Sequence, residues 1–347
     1  MDLTKPIDIT AVLEAVRKHA DVLVSIDHLG AHEALQHFTP MPGITDSIEL
    51  GKVEGGTISS KYMGVFLGDK NLGKIVPRRL IVRPIVAEMA DEPERYRRSY
   101  IAEVPGEIRK DHPFELWIIQ HGITLASEDL HNAIFTAKYD SDIEKKEITD
   151  AFDGLGTIIE ADKTAEKIST DNGNLFATGV LSRANVGEKL LDMWRAMPLT
   201  FRRKSSIMII SDELGDMYDD WLKDEVVVLL KDEVSGEEYL KGTKGKCRLV
   251  RVADLPDNSQ MVILTTKANV IYGFDKISDL KSMRPFASGN PYLFTAAMKY
   301  VIGFQLISIH KSEFCVNDQP LTPSEGGTFD ETFDNSFAKN PDLNSET

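Results

Sequence analysis

The strongest nucleotide-binding pattern in the chain is Gly68-Asp69-Lys70-Asn71-Leu72-Gly73-Lys74-Ile75, which satisfies G-x-x-x-x-G-K behind the strand-like run 63-MGVFL-67. A P-loop needs backbone N–H groups to cradle phosphates, a lysine to reach them, a Ser or Thr hydroxyl for magnesium, and a following helix. Ile75 stands where the hydroxyl is required, and Pro77 opposes the helix. The segment therefore reads as a glycine-rich hairpin tip, and a P-loop-like nucleotide hydrolase using Lys74 is the rival enzyme reading. His28, His32 and His37 form a histidine cluster, but 32-HEALQH-37 has one residue too many for the zinc spacing H-E-x-x-H. Cys247 and Cys315, the two cysteines, are too far apart for a CxxC site and read as reduced, partly buried residues. Asp140, Asp142, Asp150 and Asp153 suit a turn and a helix start better than paired catalytic carboxylates, and there is no G-x-S-x-G elbow and no G-x-G-x-x-G. The expectation is a non-enzyme with no catalytic residue, cofactor or metal site.

Two other groups of residues suggest binding. Residues 72 to 110 hold nine basic groups, among them Arg78, Arg79, Arg83, Arg95, Arg97 and Arg98, against six acidic ones, in a chain whose net charge is −15. Arginines in this number either pair with carboxylates on a neighbouring molecule, line a surface facing phosphate, or form a solvated face of little energetic worth. Phe329, Phe333 and Phe337 recur every four residues in a segment that carries, from Pro320 onward, six acids and one lysine. A helical turn or two would align the three rings, so the tail either remains mobile or clips onto an adjacent subunit or a minor partner protein.

The elements that must position these groups follow from periodicity. Hydrophobic residues are 42% and charged residues 27% of 347, which excludes wholesale disorder and allows about two domains. No run approaches the 18 apolar residues of a membrane span and no signal peptide is evident, so folding in the cytoplasm is expected. Residues 7 to 38 read as helical pieces. Residues 44 to 88, with Gly51, Gly55, Gly56, Gly64, Gly68 and Gly73 among runs such as 80-LIVRPIV-86, read as a long hairpin with few core positions. Asp111-His112-Pro113 opens a long helix continuing to about Tyr139, and shorter helices are expected near 150–167, 186–197 and 212–223. Asn185, with Glu188 three residues on, and Ser211 are the expected N-caps of the last two. Strands are expected at 207–210, 226–230, 247–252, 261–266, 269–274 and 299–309, giving a mixed α+β chain without a regular βαβ repeat.

This order resembles the major capsid proteins of tailed phages with the Hong Kong 97 fold. Asp111-His112-Pro113-Phe114-Glu115-Leu116-Trp117-Ile118-Ile119 is similar to the start of the spine helix in capsid proteins of phages of gut Bacteroides-like bacteria. Phe152-Asp153-Gly154 to Ile159, 172-NGNLFATG-179, 205-SSIMIIS-211 and Gly245 to Phe274 resemble successive parts of the axial domain, and 301-VIGFQLISI-309 resembles the return to the peripheral domain. The resemblance implies an N-terminal arm at 1–43, an extended loop hairpin at 44–88 and a peripheral domain at 89–145 and 290–318. An axial domain at 146–289 and an acidic flexible tail at 319–347 complete it. It further implies self-assembly as pentamers and hexamers into an icosahedral shell around double-stranded DNA packaged without sequence specificity. The protein would belong to the virion, be assembled in the host cytoplasm and have no membrane partner. About 40 residues before the loop leave no room for a long scaffolding segment, so either a separate scaffold or none is implied, besides portal and minor capsid proteins. An encapsulin-like compartment shell is the alternative within the same fold.

Overall fold

Strand and helix periodicities alternate along this chain. The computed structural model, which describes residues 33–54, 59, 61, 73–103, 114–142, 144–224, 238–276, 283–286 and 293–322, arranges them as two larger sheets, a separate hairpin and packed helices. In chain order come α1 (Glu33–Gln36), β1 (Thr39–Pro42), β2 (Ser47–Glu54), β3 (Lys74–Ile81), β4 (Arg83–Asp91), α2 (Arg97–Glu103), α3 (Phe114–Ala133) and α4 (Leu155–Thr164). Then follow β5 (Leu175–Phe176), α5 (Val186–Ala196), α6 (Leu199–Arg202), β6 (Ser206–Ser211), α7 (Asp212–Asp224), β7 (Glu238–Tyr239), β8 (Cys247–Val252) and β9 (Ile263–Thr265). The last are β10 (Val270–Phe274), β11 (Arg284–Phe286), β12 (Phe294–Leu306) and β13 (Phe314–Asn317). The mixed α+β class expected from the sequence is observed.

The second sheet shows why these residues make strands. Its order is β5-β13-β9-β6-β8-β7, and β6 runs parallel to β8 with α7 in the crossover. All six residues of β6 are buried because side chains on alternate faces enter different cores. Ile207 and Ile209 join the main core with α3, α4 and β12, while Met208 and Ile210 join a second core under α5 and α7. Phe314 and Cys315 of β13 divide in the same way. Each such fully buried aliphatic or phenyl side chain contributes about 1.5–3 kcal/mol. Burial also pushes the thiols of Cys247 and Cys315 up to about 12, so both stay protonated and inert at neutral pH, as their sequence context implied.

In the first sheet, the 13-residue β12 pairs antiparallel with β4 along Phe294 to Ile302, with β11 at Thr295 to Ala297 and with β10 at Gly303 to Leu306; β1 adds in parallel to β10. Both sheets draw strands from 146–289 and from 290–318, the two segments that the resemblance assigns to different domains. β10 and β11 pair with β12, whereas β13 lies between β5 and β9.

The long helix and the three shorter ones expected from the sequence are observed with different ends, and α2 and α6 were not expected. The long helix stops at Ala133 rather than near Tyr139, because the backbone carbonyls beyond it are used elsewhere. Those of Ile134, Phe135 and Ala137 accept the N–H groups of Leu155, Thr157 and Gly154, capping α4 with backbone instead of a side chain. Gly154 permits this approach, since a Cβ there would meet the Phe135 carbonyl at 2.8 Å. Asn185 does not cap α5: its Oδ1 accepts the Ser182 N–H at 2.9 Å, closing the preceding turn instead. Ser211 does cap α7, accepting the Leu214 N–H at 3.3 Å while its hydroxyl donates to the Ser259 carbonyl at 2.9 Å. The run 226–230, the helical pieces before residue 33 and the start of the long helix at 111–113 lie outside the described residues.

Candidate functional site

The hairpin is the element whose sequence commits it least to its own chain. β2 and β3 pair with Val53 opposite Ile75, Gly51 opposite Pro77, Glu49 opposite Arg79 and Ser47 opposite Ile81. These residues share one face by the period of two. Val53 is 50% exposed and Ile75 60%, so this face carries apolar side chains into solvent. The opposite face turns to the body. At its root Leu50 and Leu80 are buried with Ile44, Val82 and Ile271 in a small core.

Two glycines make that root possible. Gly273 of β10 is registered with Gly303 of β12. A Cβ on Gly303 would fall 2.0 Å from the Ile81 carbonyl oxygen, and one on Gly273 2.9 Å from the Leu80 side chain. The chain therefore crosses the sheet here, at Ile81-Val82, and the single extended run 80-LIVRPIV-86 divides between hairpin and sheet. Only 83–91 pairs with β12. The expected hairpin of 44–88 is shorter at its C-terminal side for this reason.

Two ion pairs fasten the hairpin further out. Arg78 donates to Asp162 of α4 at 2.6 Å and to the Gln305 amide oxygen at 2.7 Å, with both charged side chains 9% exposed. Lys52 reaches Glu313 at 3.0 Å, and Lys204 also donates to Glu313. Burial alone would raise the Glu313 carboxyl; the hydrogen bonds and charges of the two lysines outweigh it and hold the group below the usual carboxylate range. Arg78 is thus engaged within its own chain, where the sequence reading expected it to meet a neighbouring subunit.

The other arginines are spread over β3, β4 and the segment around α2. Arg79, on the outer face, donates to the Ser47 hydroxyl at 2.7 Å and is exposed. The Arg83 guanidinium stacks 3.8 Å from the Tyr139 ring centroid and that of Arg97 5.1 Å from Phe114. Arg95 is 67% exposed and pairs with Glu92 at 3.3 Å, and Arg98 is exposed. Phe329, Phe333 and Phe337 lie outside the described residues, as do His28 and His32; His37 is half-buried beside α1.

Lys74 begins a strand where a P-loop requires a helix N-terminus, and Gly68 to Leu72 lie outside the described residues. Asp140 accepts Lys145 at 2.7 Å and the Asp142 N–H, and Asp153 accepts the Tyr139 N–H, so these carboxylates shape a turn. Among the described residues no group of three His, Cys, Asp or Glu could hold a metal ion, and no helix is long and apolar enough to cross a membrane. The sequence reading missed Asp162, Gln305, Glu313 and the two glycines. Asp162 did leave a signal, since Leu155, Ile159 and Asp162 fall at i, i+4 and i+7 and put a carboxylate on the buried stripe of a helix.

No family model matches the sequence, and no curated protein matches it. Solved structures do match in fold. The chain is similar to one in the satellite phage P4 procapsid that includes the size determination (Sid) protein, at 12% identity and TM-score 0.55, covering 87% of this chain and 90% of that one. It is also similar to one in the capsid asymmetric unit of cyanophage A-1(L), at 14% identity and TM-score 0.51, covering 83% and 91%. A third match is to the capsid of a native GTA particle, at 11% identity and TM-score 0.50, covering 82% and 88%. At such identities the likeness is one of fold, and over most of its length this chain shares the mixed α+β fold of chains found in phage capsids.

Proposed function

We propose that this chain is a major capsid protein of a tailed phage, of the Hong Kong 97 type, that assembles as pentamers and hexamers into an icosahedral shell around double-stranded DNA. The observation that carries the reading is the hairpin: its outer face exposes Val53, Ile75 and Ile81, an arrangement that makes sense when another molecule covers it. The capsid-like fold supports the choice of a second copy as that molecule. In this reading Arg79, Arg83, Arg95, Arg97 and Arg98 meet carboxylates on neighbouring subunits, which a chain of net charge −15 offers in quantity. Binding of DNA rests on no base-reading site, and the protein acts as a structural subunit rather than an enzyme. A portal and minor capsid proteins complete the particle, and the local resemblance around Asp111 to Ile119 supports a phage of gut Bacteroides-like bacteria.

Negative-stain electron microscopy of the overexpressed chain is the test. Closed shells or sheets of rings are expected, and nuclease-protected DNA inside shells from infected cells separates a virus from a compartment that loads protein. A chain that remains monomeric at every protein concentration, with or without crowding agents, would overturn the reading.

A further inference from the structure

A cleft of about 960 Å³ lies between β3 of the hairpin and α4, and it is large enough for several side chains. Its walls combine apolar surface at the exposed Val76 and Tyr139 and the half-buried Ile158 with the cations of Lys138 and Lys311. Of the three aspartates that also line it, Asp162 is already held by Arg78 at 2.6 Å and Lys167 at 3.4 Å, Asp153 accepts the Tyr139 N–H, and Asp171 is exposed. The surface thus offers positive charge and grease together, a poor match for a bare polyphosphate and a good one for an acidic peptide with aromatic side chains.

The chain contains such a peptide. Residues 323–347 carry six acids and one lysine, with Phe329, Phe333 and Phe337 at every fourth position. The described chain ends beside the same helix: the Leu321 N–H donates to Glu160 at 2.7 Å, and Lys163 donates to the Gln319 carbonyl at 2.9 Å. Glu160 and Lys163 lie on one side of α4, while Ile158, Ala161 and Asp162 line the cleft on the other. An α-helix is about 10–12 Å across, and the seven residues from Thr322 to Phe329 span up to roughly 23 Å, so the path around α4 is short enough.

We propose that residues 323–347 fold back over α4 into this cleft of the same chain, setting phenylalanines against Val76, Tyr139 and Ile158 and carboxylates against Lys138 and Lys311. The occupant touches β3 and α4 together, so it would act as a wedge that fixes the hairpin's angle to the body. This goes beyond the capsid reading and is tested on single chains, so either can fail without the other.

The experiment places a photo-crosslinking benzoylphenylalanine at Phe333 in the full-length chain and maps its adducts by mass spectrometry. Adducts to 76–79, 138–139, 157–162 or 309–311, in a band of monomer mass, are expected. Lys138→Glu with Lys311→Glu, both at exposed positions, should reduce their yield about fivefold while circular dichroism is unchanged. Adducts to any other surface, adducts only between chains, or a yield indifferent to the charge reversal would overturn the proposal.

Discussion

At Gly303 the absence of a side chain decides where the hairpin can leave the sheet. The obstruction to a Cβ is the Ile81 carbonyl oxygen at 2.0 Å, a backbone atom that cannot swing aside as a rotamer would. Gly303→Ala should therefore cost at least the upper end of the roughly 1–3 kcal/mol typical of overpacking. Guanidinium unfolding followed by fluorescence checks this through a lowered midpoint, and an unchanged midpoint would show that the crossing at Ile81-Val82 yields. In the sequence Gly303 is only an interruption in 301-VIGFQLISI-309, and nothing local says that residue 81 passes over it. Arg78 is a similar case. Its type was legible, but its partners Asp162 and Gln305 lie 84 and 227 positions away, so a reading by local charge could not find them.

Among the elements, the helices were the most legible because their burial is local and periodic. Val186, Leu190 and Met193 of α5 and Leu214, Tyr218 and Leu222 of α7 are buried as their spacing requires. Helix ends were less so, since α4 borrows carbonyls from Ile134, Phe135 and Ala137 where a side-chain cap was sought. The hairpin was legible by its glycines and thin core, yet its fastening depends on long-range ion pairs. Glu313 gives that fastening a pH dependence. Its carboxyl is held low by Lys204 and Lys52 against the effect of burial, so its contribution is present above the unfolded value near 4.3 and is lost as the pH falls through the lower folded value. Amide exchange in 47–54 and 74–81, corrected for the intrinsic effect of pH, should lose protection below about pH 4. Glu313→Gln should show the reduced protection already at neutral pH and little further change; a pH response equal to that of the unaltered chain would exclude Glu313 as its source.

For the whole molecule, association has to overcome like charge. Copies with a net charge of −15 repel one another at long range, so a stable assembly needs buried apolar area and local charge complementarity. The outer face of β2 and β3 supplies the first through Val53 and Ile75, which are directly opposite each other and at least half exposed. Replacing them by Val53→Glu and Ile75→Lys removes the apolar contact but leaves a cross-strand pair of opposite charges, which favours the hairpin itself. The subunit should then unfold within about 0.5 kcal/mol of the original, as exposed substitutions usually do. Sedimentation and electron microscopy should find it no longer assembled, because the two charges would have to be desolvated against a neighbour that has no partner for them. Normal shells from this variant would mean that the face looks into solvent in the assembled particle, and the apolar contact between subunits would have to be sought at another exposed residue, such as Phe286 of β11 or Leu125 of α3.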